Sequence, residues 1–383
     1  MTRRLYETDS YCRRFTARVL SCEKTEKGYE TILDQTAYFP EGGGQGCDLG
    51  SLGGALVIDV QLRGDEVMHW LDKPVPVDEE VEGELDFARR LRHMQNHSGE
   101  HLLSGLIHRH FGFENVGFHL GKEVTADFDG LLSSEQLRRI ENLANEAVYR
   151  NKPIMARTPS PEELEGLFYR SKAGIRGAVR LVEIEDYDRC ACCAPHVRTT
   201  GEIGIIKITE HQKNKGGTRI FLKCGFDALA DYQKKQEQIG LISNLLAAKQ
   251  SEAAAAVQKL EEQVSALRYE ITGLKRRLIG EKIACFSPES ETTALFEPDL
   301  DIKELQLLAD GLYRLHGGIR GAFSPQEDGS RFVICGEEER LSSFFGRFRQ
   351  ACAVRGGGKK EMMQGTVTAT REAIVAVFAS EKT

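Results

Sequence analysis

The chain has 383 residues, 40% of them hydrophobic, and a formal net charge of −7. That length exceeds what one ordinary core fills and predicts two or three domains, while the acidic balance excludes indiscriminate binding to nucleic acid. The stretch Met1-Thr-Arg-Arg-Leu-Tyr-Glu-Thr-Asp has no apolar run like a signal peptide, and no unbroken span of eighteen apolar residues occurs, so a cytoplasmic protein is expected.

From Phe15 to Leu85 short β-type runs alternate with glycine: Phe15-Thr-Ala-Arg-Val-Leu, Tyr29-Glu-Thr-Ile-Leu, Ala55-Leu-Val-Ile-Asp-Val and Glu66-Val-Met-His-Trp. Regular turn signals between such runs predict a small barrel in residues 1–87. Between the second and third runs lies Leu33-Asp-Gln-Thr-Ala-Tyr-Phe-Pro-Glu-Gly-Gly-Gly-Gln45. Its glycines, Gly43 and Gly44 among them, permit positive φ and close backbone approach to a ligand, although the spacing is neither a P-loop nor a dinucleotide fingerprint.

Residues 88–225 mix helix and strand. A helix is expected from Arg89 to Phe111, stopped by Gly112; Ser133-Ser-Glu-Gln136 and Ser160-Pro-Glu-Glu163 open two more with capping-box patterns. Glu123-Val-Thr-Ala-Asp-Phe, Val179-Arg-Leu-Val-Glu-Ile and Ile203-Gly-Ile-Ile-Lys-Ile read as strands. In residues 226–281 Leu260, Val264, Leu267, Ile271, Leu274 and Leu278 keep a four-three alternation, the seam of a coiled coil that can pair within the chain or with a second copy. Residues 282–383 form a further mixed unit, with helix-like stretches Ile302 to Leu315 and Glu339 to Cys352 and the strand-like Phe332-Val-Ile-Cys335.

Two pairs of residues spaced by four carry the chemistry. His97 and His101 share one helix face and can reach a single ion; Cys192 and His196 add a thiolate and a third imidazole, a ligand set suited to tetrahedral Zn²⁺. The crowding of Cys190, Cys192 and Cys193 among ten cysteines fits reduced thiols with a metal role rather than a disulfide framework. The string His97-Ser-Gly-Glu100-His101 also matches the inverzincin peptidase pattern H-x-x-E-H, with Glu100 as base, but that reading leaves Cys192 and His196 idle. His93 continues the helical row and is expected to face solvent, and Glu100 to point away from the metal or to orient one ligand from behind. Basic clusters at Arg89, Arg90 and Arg92, at Lys213, Lys215, Arg219 and Lys223, and at Lys275, Arg276 and Arg277 suggest a phosphate-bearing substrate.

The Leu33–Gln45 string, the His97–His101 helix continuing Leu102-Leu-Ser104, and Cys192-Cys-Ala-Pro-His196-Val-Arg-Thr-Thr-Gly-Glu-Ile-Gly204 closely resemble the editing domain of alanyl-tRNA synthetase. Without an aminoacylation domain the whole chain looks like the long form of the free-standing alanyl-tRNA editing proteins, the AlaX type. The resemblance implies an α+β multidomain protein: an N-terminal barrel, a zinc-binding editing domain, a helical linker and a DHH-associated, RNA-binding type domain carrying the glycine-rich segment Arg355 to Gly365. It implies a zinc-dependent hydrolase that removes serine or glycine from mischarged tRNA-Ala, with His97, His101, Cys192 and His196 as ligands. It further implies that Gln45 approaches the aminoacyl group or the attacking water, that Thr36 senses the serine hydroxyl, and that His119 lines the pocket with Gly43 and Gly44. Where Cys193 and Ala194 stand the family often has glycine. The alternatives are a tRNA-binding or synthetase-associated module whose zinc is structural only, and, less in keeping with the motifs, the peptidase.

Overall fold

The computed structural model describes residues 2–171 and 179–381. It is a mixed α+β protein of two compact units, residues 1–241 and 242–383.

The first unit begins with a closed barrel. Going round it, the strands are Arg14–Thr25, Gly28–Leu33, Glu66–Leu71, Ala55–Arg63, Gly50–Leu52 and Glu80–Leu85, the last pairing back onto the first. Burial alternates residue by residue from Arg14 to Leu20 and along Glu80–Leu85, as a strand with one wet face requires. Phe15, Ala17, Val19, Leu33, Val57, Val60, Val67 and Leu71 fill the interior. The loop between Phe39 and Asp48 leaves this barrel and carries the glycine run.

The helix Phe87–Phe111 follows directly. Asp86 caps it by accepting from the Arg89 amide at 3.0 Å, and Gly112, at φ 71°, ends it with its amide donating to the His108 carbonyl. Nearly every residue from Met94 to Ile107 is buried, because sheets cover it on several sides. One sheet is antiparallel, ordered Ile206–Asn214, Gly217–Cys224, Val124–Phe128, Asn115–Leu120; another consists of Ile154–Arg157, Leu181–Ile184 and Asp188–Ala191. Gly105 lets the last of these come close: a Cβ there would lie 2.6 Å from the Tyr187 carbonyl oxygen. Both expected capping boxes are formed, on Ser134–Arg150 and on the short Pro161–Glu165 helix.

The three basic clusters are less free than their sequence suggests. Arg90 is fully buried against Asp48, Arg92 pairs with Asp227 at 2.8 Å, Arg219 with Asp127 at 2.7 Å, and Lys223 with Asp231. Arg90, Arg92 and Arg219 meet acids distant in the chain, so the first two clusters are partly neutralised.

In the second unit, a five-stranded sheet runs Thr292–Phe296, Ile319–Gln326, Gly329–Cys335, Met362–Thr368, Ala353–Lys359, parallel only in its first pair. Helices Ile302–His316, Glu338–Ala351 and Arg371–Ala379 accompany it. The glycine-rich segment is therefore not a loop: Arg355-Gly-Gly-Gly-Lys359 lies in the edge strand, held by ladder bonds to Met362–Thr366. The Ala253–Cys285 helix docks its C-terminal end through Ile279 and Ile283 onto Leu305, Leu308 and Leu312. Further up, the four-three seam from Leu260 to Leu278 is 39–57% exposed. No helix among the described residues is long and apolar enough to cross a membrane.

His69 offers a test of the barrel. It is fully enclosed, its Nε2 2.9 Å from Thr36 Oγ1, and burial lowers its pKa from 6.5 to about 4. The folded barrel thus keeps the imidazole neutral where the unfolded chain protonates it. The stability involved is complete above pH 6.5 and is lost as the pH falls toward 4. Thermal melts followed by circular dichroism should show a steeper fall in Tm over that window for the native chain than for His69→Gln; parallel curves would place the acid sensitivity elsewhere.

Candidate metal centre and its cavity

His97 and His101 project from one face of the Phe87–Phe111 helix. Cys192 follows the end of the Asp188–Ala191 strand, and His196 lies in the loop leading to the turn Thr200–Ile203. The three rings converge, with centroids 5.2 Å apart for His97 and His101, 4.8 Å for His97 and His196, and 4.7 Å for His101 and His196. Cys192 Sγ stands 3.4 Å from His196 Nε2 and 3.7 Å from His97 Nε2, and one ligand atom from each residue falls within 4.8 Å of every other. A tetrahedral ion with bonds of about 2.0–2.3 Å needs edges of roughly 3.3–3.6 Å between its ligand atoms. Both sulfur–nitrogen distances lie near such edges, and the four residues are grouped closely enough that they could hold a metal ion.

Each ring is held from behind. His97 Nδ1 is 2.9 Å from Gln45 Oε1, His196 Nδ1 is 2.9 Å from Ser98 Oγ, and His101 Nδ1 is 3.3 Å from Asp188 Oδ2, an ion-pair distance without hydrogen-bond angles. With Nδ1 protonated and turned to these oxygens, all three Nε2 lone pairs face the site. Asp188 is itself fixed by Arg170, whose Nε and Nη2 donate to its two oxygens at 2.8 Å each. Burial on its own would raise the Cys192 thiol, but His97, His196 and His101 outweigh it and hold the group well below the ordinary thiol range. The cluster thus favours the thiolate, the form that binds metal. Burial pushes His196 down to about 3, leaving its imidazole neutral and able to ligate.

His97, His101 and Cys192 border a cavity of about 500 Å³ whose wall includes Gly43, Glu100, Asn115 and Phe118. The glycine loop reaches it through a close approach: Gly44, at φ 83°, would place a Cβ 2.1 Å from the Phe118 carbonyl oxygen, and its own carbonyl accepts from the Leu120 amide at 2.7 Å. That contact delivers Gln45 to His97. Gln45 is 1% exposed and its Nε2 has no hydrogen-bond partner among the described residues.

The remaining candidates lie elsewhere. Thr36 is fully buried in the barrel, its hydroxyl shared by His69 and the Tyr38 amide, and does not border the cavity. His119 is exposed, on the opposite face of its strand from Phe118. His93 corrects the expectation of a solvent-facing ring: it is 2% exposed and outside the metal group, because the sheets around the helix leave that face no water. Glu100 borders the cavity and accepts hydrogen bonds from Ser104 and Asn115. Phe118, Asn115, Asp188 and Arg170 escaped the sequence reading. For Glu100 a signal existed, since His97, Glu100, His101 and Ser104 fall at i, i+3, i+4 and i+7 on one face.

Asp188→Asn keeps the shape but removes the charge that steadies His101. Its metal affinity, read by competition with a chromophoric chelator, should be about 10–100-fold weaker. Unchanged affinity would mean that His101 needs no such support.

Residues 179–221, which contain Cys192 and His196, match the threonyl and alanyl tRNA synthetase second additional domain. Alanine–tRNA ligase of Pyrococcus furiosus is 30% identical over 96% of this chain and 42% of the ligase; that of Pyrobaculum neutrophilum is 35% identical over 68% of this chain and 31% of the ligase. The alanyl-tRNA editing protein Aarsd1 of Mus musculus is 26% identical over 95% of this chain and 94% of that protein. The chain thus spans less than half the length of the ligases it matches but almost the full length of the editing protein. These matches, together with the domain that holds half of the metal-type ligand set, make the chain an AlaX-like relative of the alanyl-tRNA editing proteins.

Proposed function

We propose that the protein is a cytoplasmic trans-editing deacylase that hydrolyses the ester of serine or glycine on mischarged tRNA-Ala, with Zn²⁺ held by His97, His101, Cys192 and His196. The observation that carries this reading is the four-donor cluster, three of whose residues border a cavity of about 500 Å³, a size suited to an aminoacyl group on a terminal nucleoside. Bound zinc would supply a Lewis acid able to polarise an ester carbonyl or acidify a water. Correction by hydrolysis is needed because a pocket selecting alanine discriminates only about a hundredfold against an added hydroxyl.

The chain's own residues do the positioning. Gln45 orients His97 through Oε1 and offers its unpartnered Nε2 to the aminoacyl group or the water attacking it. Gly43 and Gly44 bring the loop backbone within reach of the substrate because neither carries a side chain. Thr36 and His119 are weaker members of the set, the first with its hydroxyl already engaged in the barrel, the second facing outward. Domain boundaries at 1–87, 88–225, 226–281 and 282–383 divide these roles, with the last domain binding RNA through the exposed edge strand at Arg355–Lys359.

A closed shell of four protein ligands also favours a second reading, in which the metal is purely structural and the protein only binds tRNA. One experiment separates them. Purified protein should deacylate Ser-tRNA-Ala or Gly-tRNA-Ala and spare Ala-tRNA-Ala, while Gln45→Ala with full zinc should lose about 10–100-fold in kcat. Absence of hydrolysis with zinc bound would leave the binding module. In the same assay Lys359→Glu with Lys360→Glu should raise KM and flatten its salt dependence, leaving kcat unchanged.

The exposed seam of the Ala253–Cys285 helix suits pairing with a second copy. Sedimentation should then show a dimer that Leu267→Glu with Ile271→Glu converts to monomer. A monomeric native chain would rule this out.

A further inference from the structure

The cavity beside His97, His101 and Cys192 is bordered by a buried carboxylate. Glu100 is 5% exposed, and Ser104 and Asn115 donate hydrogen bonds to its Oε1, but it joins no ion pair among the described residues. Of the other charges in the described cavity wall, all but Arg180 meet an ionisable partner. Arg4 pairs with Glu7 at 3.3 Å, Glu114 with His108 at 2.9 Å, and Arg170 with Asp188. Arg180 donates to the Cys192 and Ala194 carbonyls at 2.9 and 3.0 Å. Arg170 also feels the Glu100 charge, yet its Nε and Nη2 are both turned to Asp188.

A carboxylate taken out of water without a cation is costly, and buried charges in proteins are as a rule paired or bound to metal. Glu100 belongs to neither group of residues that could hold a metal, although it lies between two ligands of the first. Ser104 and Asn115 tether one oxygen and so fix the direction in which the other can be approached. Ser104 is fully buried, one helical turn beyond Glu100, so the tether is part of the helix face rather than a surface accident.

We infer that Glu100, steadied by Ser104 and Asn115, is the subsite for the α-ammonium group of the substrate's aminoacyl moiety. This rests on the proposed deacylase reading and deepens it. The group is common to glycine, serine and alanine, so Glu100 secures the aminoacyl ester as a class, and choice among side chains is left to other parts of the wall. The amine is then taken by a carboxylate rather than by the metal, which leaves the metal face of the cavity to the ester carbonyl and water.

The test uses the full zinc-loaded chain and two non-hydrolysable probes, 3′-deoxy-3′-(L-serylamino)adenosine and its N-acetyl form, titrated calorimetrically at pH 6.5 so that the free amine is protonated. The native protein should bind the charged probe about 10–100-fold more tightly, as expected for a buried charge-assisted hydrogen bond. Glu100→Gln, with zinc content checked by elemental analysis, should reduce that ratio to about threefold or less, and Glu100→Asp should restore part of it. In turnover Glu100→Gln should raise KM for Ser-tRNA-Ala more than it lowers kcat. A native protein that hydrolyses Ser-tRNA-Ala but binds both probes equally would overturn the inference while leaving the deacylase reading intact, and it needs no variant to fold. A Glu100→Gln protein that keeps the native ratio, or loses kcat at unchanged KM, would also overturn it, the latter by making Glu100 a base. A native protein that neither hydrolyses the ester nor binds either probe would remove both readings.

Discussion

Everything at the site depends on a buried ion pair that ties the barrel to the helix. Arg90 and Asp48 are both fully enclosed; the guanidinium meets the carboxylate through Nε and Nη2 and also donates to the Ser10 and Ala37 carbonyls at 2.8 and 2.6 Å. Asp48 in turn accepts from the Phe39 amide at 2.7 Å. One side chain in the second turn of the helix thereby holds the N-terminal segment and both ends of the glycine loop. The loop has nowhere to go but back across the helix, two turns on, where Gln45 meets His97. A buried pair of this kind adds little net stability over apolar packing, but losing one partner leaves a stranded charge and costs about 3–5 kcal/mol. Its value here is to fix the register between two folding layers.

With that register set, the cluster balances opposed electrostatic effects: burial lowers the His101 imidazole, but Cys190, Asp188 and Cys192 outweigh it and hold the ring well above its ordinary range. Three imidazoles lower the Cys192 thiol against the effect of burial, and burial keeps His196 neutral. Oxygens of Gln45, Ser98 and Asp188 stand on the Nδ1 side of the rings, so the metal-facing nitrogens share one orientation. These supporting residues come from the glycine loop, the site helix and the strand before Cys192. Each segment thus contributes both a piece of the cluster's support and part of the cavity wall. That shared use explains why the glycines matter: at Gly44 and Gly105 a Cβ would push the segments apart and open the cluster.

Local pattern carried a good part of this into the sequence. The spacing of His97 and His101, the caps at Ser133 and Ser160, the stop at Gly112 and the alternation in the first strands depend only on neighbours within a helical turn or a pleat. The short strands Asn115–Leu120, Asp188–Ala191 and Gly217–Cys224 were not read: the first two pair with the neighbouring strand of the chain, and only the third also meets a distant one, Val124–Phe128. Distance along the chain hid the pairing of Arg92 with Asp227 and of Arg219 with Asp127, which only the fold brings into contact.

By itself, then, the sequence determined which residues can ligate a metal and which helix presents two of them, since ligand chemistry and helical periodicity are local properties. Tertiary structure alone decided what surrounds them. It buried His93, turned Thr36 into the barrel, set Phe118 rather than His119 toward the cavity, and left Glu100 in the cavity wall without an ion-pair partner among the described residues. Burial and charge balance are sums over every segment that packs at a point, and no window along the chain contains them.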